Sequence, residues 1–130
     1  MKDIRFTILS NSKLADRTYE MVLSCEKGGH GVLRPGQFVN IRLDGLYLRR
    51  PISVCDWTED TVTIIYKTVG KGTEQMSLMA EGETLDVLTP LGNGYDTSLC
   101  TEHAVLLGGG VGVPPLYMLA KTLIAQGKKV

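Results

Sequence analysis

The chain has 130 residues, 43% of them apolar, and its 14 lysines and arginines balance 14 aspartates and glutamates at a formal net charge of zero. That length supports one proper hydrophobic core but not two full domains. The absence of a basic stripe, an acidic tail or an apolar run of membrane-spanning length argues against nucleic acid or a membrane as the main partner.

The N-terminus, Met1-Lys2-Asp3-Ile4-Arg5, mixes charged and apolar residues and lacks the apolar stretch of a signal peptide, so a cytoplasmic location is expected. Ile4–Leu9 and Tyr19–Ser24 alternate in the strand period. Gly28-Gly29-His30-Gly31 interrupts the pattern, and Arg34-Pro35-Gly36-Gln37 signals a turn. The alternation resumes over Phe38–Leu43, turns at Asp44-Gly45, and returns over Leu48–Cys55 and Thr61–Lys67. A short helix is predicted from about Gly72 to Leu78, then a last strand over Leu85–Leu88 before the turn cluster Pro90-Leu91-Gly92-Asn93-Gly94. Six short strands with frequent turns predict a small closed or nearly closed antiparallel barrel.

The pattern then changes. His103–Leu107 reads as a buried strand, and Pro115–Gln126 as a helix with Leu116, Leu119, Ala120 and Leu123 on one face and Gly127 as its C-cap. Lys128-Lys129-Val130 reads as the start of a following parallel strand. One βα unit cannot close a parallel sheet, so it must pack on the barrel or on something outside these residues. Cys25, Cys55 and Cys100 are far apart and lack the spacing of a metal site or a disulfide framework. His30 and His103 are isolated and read as structural.

Three segments carry chemistry. In Arg50-Pro51-Ile52-Ser53 an arginine offers a planar donor fork suited to a diphosphate, and a hydroxyl three residues on suits a polar ring edge. The same residues also suit an edge strand with solvated arginines. In Val69-Gly70-Lys71-Gly72-Thr73, two glycines precede Thr73 as a helix N-cap with free backbone N–H groups. An ordinary Gly-rich turn with a capping threonine accounts for it equally well. Gly108-Gly109-Gly110-Val111-Gly112-Val113-Pro114-Pro115 follows a strand and opens a helix, the setting in which glycines let a backbone approach phosphates and proline costs nothing in the first turn. A glycine turn packed on the barrel is the alternative. The acidic ribose-binding residue expected about 20 residues on would fall past Val130.

Taken in this order, the three motifs resemble the ferredoxin–NADP reductase superfamily. Leu48–Ser53, Tyr66–Thr73 and Leu107–Leu116, with Arg34–Val39, look within it like the electron-transfer subunit of type B dihydroorotate dehydrogenase. The resemblance runs the whole chain. It implies a mainly β fold, a six-stranded antiparallel Greek-key FAD-binding barrel over residues 1–98, followed at 99–130 by the first βα unit of an incomplete α/β NAD-binding domain. It also implies that Arg50, Pro51, Ile52 and Ser53 bind FAD, with Arg50 toward the diphosphate and Ser53 near the ring. Ile65, Tyr66 and Lys67 would line the ring or ribityl chain, and Gly72 and Thr73 the diphosphate. Gly109, Gly110, Gly112 and Pro115 would meet the nicotinamide half of NAD. No residue need act as an acid or base, because the cofactor carries the chemistry.

Family members continue through a complete NAD-binding lobe and a cysteine cluster holding a [2Fe–2S] centre. The resemblance therefore implies that these residues are the front part of a longer protein. Its partner would be the dihydroorotate-oxidising catalytic subunit, in a heterotetramer serving pyrimidine biosynthesis. Another flavoprotein subunit of the superfamily, such as a sulfide-dehydrogenase-like one, is the nearest alternative. A non-enzymatic barrel acting as an interaction module is a more distant one. A stub with an uncovered apolar helix face would favour self-association.

Overall fold

A computed structural model describes all 130 residues. Strands β1 (Lys2–Ala15), β2 (Thr18–Ser24), β3 (Phe38–Ile41), β4 (Arg50–Trp57), β5 (Thr61–Lys67) and β6 (Thr84–Leu91) form a closed barrel in the order β1-β2-β5-β4-β3-β6. Every pairing is antiparallel, and the order gives the expected Greek key. The strand-period alternation is what fills it: Phe6 and Ile8, Met21 and Leu23, Val39 and Ile41, and Val62 and Ile64 all point inward and are fully or almost fully buried. Helix α1 (Lys71–Ser77) lies between β5 and β6 in sequence and sends Met76 into the same core.

Two strands run further than their apolar pattern. β1 continues through Ser10-Asn11-Ser12-Lys13, where there is no apolar face to read, because its ladder to β2 extends to Ala15↔Thr18. A register shift between Ile8 and Ser10 lets the strand leave the barrel wall as a hairpin arm. β6 runs through the expected turn at Pro90-Leu91 and turns only at Gly92, at φ +87°. Its pairing with β3 skips from Leu88 to Leu91, so Pro90 sits in an irregularity where its missing N–H is tolerated. β3 is shorter than expected, stopping at Ile41, and β4 is shifted to begin at Arg50 and end at Trp57.

The turn at Arg34–Gln37 forms as expected. The buried Gln37 side chain accepts from Arg34 N–H (2.8 Å) and donates to Gly92 O (2.8 Å), tying it to the end of β6. His30 is structural, its ring nitrogens meeting Gly31 O and Thr58 O at 2.7 and 2.6 Å. The three cysteines are free. Burial pushes the Cys25 and Cys55 thiols up, so neither is activated as a nucleophile.

Beyond the barrel, helix α2 (Pro114–Ala125) buries Leu119 and Leu123 and packs on β4. Its end is a Schellman closure: Gly127 at φ +80° donates to Ile124 O, and Lys128 N–H donates to Leu123 O, each at 2.9 Å. The expected buried strand at His103–Leu107 is corrected. Only one parallel bridge forms, His103↔Lys129, and Val105 and Leu107 are each 94% exposed. A parallel strand is buried only when both of its faces are covered. Within these residues that cover is incomplete.

Candidate functional site

The site is set by where β4 and β5 stop pairing. Their ladder runs from Trp57↔Val62 to Val54↔Ile64, with Cys55 as an extra residue in a bulge. Past Val54 the strands part. Arg50–Ser53 pairs only with β3, and Ile65–Lys67 only with β2. Two strand edges thus face each other across an open groove of about 390 Å³, lined by Arg50, Pro51, Ile52, Ser53, Ile65, Tyr66, Lys67, Val69, Thr73 and Val111. Eight of these residues were expected at the site from the sequence. Val69 and Val111 were not: an apolar residue inside a Gly-rich segment gives no signal of its own.

The groove is cationic at one end and apolar along its walls. Arg50 and Lys67 line it, and no aspartate or glutamate does. The two adjacent arginines divide their tasks. Arg49 is turned toward β1, where it donates to Asp3 through Nη2 at 2.8 Å and Nη1 at 3.3 Å. Arg50 has no carboxylate partner, and its Nη1 donates only to Leu48 O. Apart from that bond the fork of Arg50 has no partner in the chain, which leaves it open to an anion or to solvent. Ser53 makes no hydrogen bond within the chain that would occupy its hydroxyl.

Opposite Arg50 stands the start of α1. The expected N-cap, Thr73, is corrected to Gly70, with the helix beginning at Lys71. Thr73 is the third helical residue and reaches back: its Oγ1 accepts from Val69 N–H (2.9 Å) and Gly70 N–H (3.3 Å) and donates to Gly70 O (3.2 Å). Its hydroxyl shapes the turn and is not left over for a ligand. What remains are the N–H groups of Lys71, Gly72 and Thr73, which find no acceptor in the chain. Gly72 is buried beneath Arg50, and an added Cβ would lie 2.9 Å from both Arg50 Cγ and Cζ. Only glycine leaves the guanidinium where it is.

Tyr66 enters the site differently from the expectation. Its side chain is 1% exposed and points into the barrel. There its hydroxyl donates to Asn11 Oδ1 at 2.8 Å, and its ring stacks on Tyr19. Burial pushes its pKa up to about 12. Asn11 in turn donates from Nδ2 to Met76 O (2.8 Å) and Met79 O (2.9 Å), so the hairpin arm of β1 holds both β5 and the end of α1. Tyr66 nevertheless lines the groove. Ile65 and Lys67, alternating with it, carry the outward side chains.

The glycine run also differs in detail. Residues 110–112 form a 3₁₀ turn that touches β5, and its Val111 enters the groove. Gly109, Gly110, Gly112 and Pro115 do not line it. α2 opens with two prolines, Leu116 N–H is bonded to Val113 O, and Gly112 N–H to Gly109 O. The first turn of α2 thus offers few free donors, but the N–H groups of Gly109, Gly110 and Val111 just before it find no acceptor in the chain. A smaller cavity of about 170 Å³ beside Arg5, Arg42 and Gln75 is already neutralised by Asp86. The Arg5 hydrogen bond holds the Asp86 carboxyl below its usual range.

No family model matches the chain. It is similar along its length to curated proteins named dihydroorotate dehydrogenase B (NAD(+)), electron transfer subunit. The identity is 39% to that of Listeria monocytogenes over 100% of this chain and 53% of the relative. It is 45% to that of Geobacillus kaustophilus, over 97% and 51%, and 44% to that of Enterococcus faecalis, over 99% and 51%. The chain spans about half the length of these curated relatives. Among solved structures it resembles an NADH-dependent reduced ferredoxin–NADP oxidoreductase described for flavin-based electron bifurcation. That match has a TM-score of 0.85 and 35% identity over 95% of this chain and 45% of that one. Phthalate dioxygenase reductase, at a TM-score of 0.84 and 21% identity over 98% and 41%, shares the fold.

Proposed function

We propose that the chain is the flavin-binding part of an electron-transfer subunit, with residues 1–98 as an FAD-binding barrel and 99–130 as the opening of an NAD-binding domain. The observation that carries this reading is the parting of β4 from β5 beside an unpaired Arg50. Two strand edges with unpaired main-chain groups suit a flat heterocycle whose rim is made of hydrogen-bond donors and acceptors. Ser53 stands on one of those edges. Arg50 and the free N–H groups at Gly72 and Thr73 suit a diphosphate between them, and the lack of a side chain at Gly72 keeps room for it.

FAD, when bound, supplies the redox chemistry. The chain's own residues bind and orient it. Ile52 and Ile65 give apolar walls, Arg50 and Lys67 give charge, and no side chain in the groove is arranged to move a proton. A [2Fe–2S] centre does not fit residues 1–130, where no three His, Cys, Asp or Glu side chains converge. In the longer protein that the relatives suggest, the cluster would belong outside these residues. That protein would pass electrons between a dihydroorotate-oxidising catalytic subunit, in a heterotetramer, and NAD, in cytoplasmic pyrimidine biosynthesis. No helix here is long and apolar enough to cross a membrane.

The test is direct. The purified chain, incubated with FAD and passed through a desalting column, should retain a bound-flavin absorbance and melt at a higher temperature, as a ligand of the folded state requires. Arg50→Ala should weaken both. A wild-type chain that emerges colourless sinks the proposal. Co-purification of the full-length protein with a dihydroorotate-oxidising subunit separates the proposed pathway from that of another superfamily member.

A further inference from the structure

Arg17 is the one non-glycine residue of the chain with a positive φ, at +56°. It ends the two-residue turn Asp16-Arg17 between β1 and β2, which the pair Ala15↔Thr18 closes. Glycine, asparagine or aspartate normally fills such a position, because a Cβ is crowded in the left-handed region. An arginine persists there when its surroundings hold it in place. What holds Arg17 is a single residue, Thr68. Thr68 N–H donates to Arg17 O at 2.8 Å, and the Thr68 hydroxyl donates to the same oxygen at 3.4 Å. Arg17 Nη2 donates in return to Thr68 O at 2.9 Å. The side chain is exposed, yet no carboxylate pairs with it.

Thr68 stands at a sensitive place. The regular ladder between β2 and β5 ends at Thr18↔Lys67, so Arg17 carries the pairing one residue further. The two chain neighbours of Thr68, Lys67 and Val69, both line the groove. Just beyond, the N–H groups of Val69 and Gly70 are taken by Thr73 Oγ1, and α1 begins. The segment that leads from the groove wall to α1 is gripped at one end by Thr73 and at the other by Arg17. We infer that Arg17 is a positioning residue for the groove: through Thr68 it fixes Lys67 and Val69 against a bound flavin without touching the flavin itself. This rests on the flavin reading above and adds to it a residue outside the groove. Glycine at this position relaxes the turn and can keep the main-chain bond, losing only the side-chain grip. A turn shaped for stability alone would carry glycine, so the arginine serves the grip.

The experiment compares Arg17→Gly and Arg17→Lys with the wild-type chain, each titrated with FAD by absorbance and each melted without flavin. Arg17→Gly should raise the FAD dissociation constant several-fold, while its apo melting temperature stays level or rises as the left-handed turn relaxes. Arg17→Lys keeps a donor for Thr68 O and should bind FAD close to the wild type. The deficit of Arg17→Gly should be the same at low and high salt, because salt screens a distant charge but not the placement of a backbone. A deficit that vanishes at high salt would make Arg17 a long-range attractor of the ligand and overturn the positioning role. A fall in apo melting temperature that accompanies the lost affinity overturns it too, since the contact would then serve the fold. An Arg17→Lys variant as weak as Arg17→Gly refutes the bond to Thr68 O as the cause. Unchanged FAD binding in Arg17→Gly refutes the inference and leaves the flavin reading standing. A wild-type chain that retains no flavin overturns both.

Discussion

Asn11→Ala tests how the hairpin arm of β1 holds the groove in place. Asn11 makes three hydrogen bonds, accepting from the Tyr66 hydroxyl at 2.8 Å and donating to Met76 O and Met79 O at 2.8 and 2.9 Å. Alanine removes all three. The Tyr66 hydroxyl, in a side chain 1% exposed, is left without an acceptor, a cost of about 1–3 kcal/mol. Met79 O, just past α1, loses its side-chain donor at about 0.5–1 kcal/mol, and Met76 O, which keeps Met79 N–H, loses a second one at about 0.5 kcal/mol. The expected total is about 3 kcal/mol, a large fraction of the roughly 5–15 kcal/mol typical of a domain. Urea unfolding of the apo chain reads it as a lower midpoint at unchanged slope. Tyr66→Phe removes only the shared bond and should cost about 1 kcal/mol. Because both variants break the same contact, the double variant should be less destabilised than their sum by about 1 kcal/mol or more. A cost for Asn11→Ala below about 1 kcal/mol, or strict additivity in the cycle, would refute the reasoning.

Other outcomes follow from the same geometry. Arg50→Ala removes a charge-assisted contact worth about 1.5–3 kcal/mol, so the FAD dissociation constant, read by absorbance titration, should rise about 10- to 100-fold. Gly72→Ala should weaken FAD binding comparably while the apo barrel keeps its melting temperature, since the crowded atoms belong to the flexible Arg50 side chain. A lost fold would show that Gly72 serves packing instead. Tyr66 titrates at about 12 when folded, against about 10 for a free tyrosine. The folded state therefore holds the extra proton between those values, and stability is fully present below pH 10 and falls as pH rises toward 12. Unfolding midpoints measured across that window should fall more steeply for the wild type than for Tyr66→Phe, and parallel curves would count against the assignment.

The glycine run shows how a motif gains detail once it is folded. As a string, strand, glycines and helix suggest a phosphate cradle. Two prolines remove donors from the first turn of α2, and the next free amide is bonded to Val113 O. Free backbone donors stand both at the start of α1, about forty residues earlier in the chain, and within the run at Gly109, Gly110 and Val111. The run also presents the apolar side chain of Val111 to the groove.

The barrel and most of its groove were legible in the sequence, because the strand period alone decides which side chains point inward. Phe6, Ile8, Val62 and Ile64 could be assigned to the core from their spacing. Arg50, Ser53 and Gly72 stood out because a donor fork, a hydroxyl and a glycine at a helix start have few roles. The hairpin arm of β1 was not legible: Ser10-Asn11-Ser12-Lys13 has no apolar face, and its pairing is made by the backbone. Nor was the division of labour between Arg49 and Arg50, which depends on Asp3 lying 46 residues away in sequence. The exposure of Val105 and Leu107 was hidden as well, because an apolar run specifies that a strand wants covering and not whether a cover is present. Local pattern, in short, determined the strands, their inward faces and the residues able to hold an anion. Tertiary structure decided where β4 parts from β5, which arginine is left unpaired and which valine reaches the groove. Each of those depends on contacts between segments distant in sequence, and no local period encodes them.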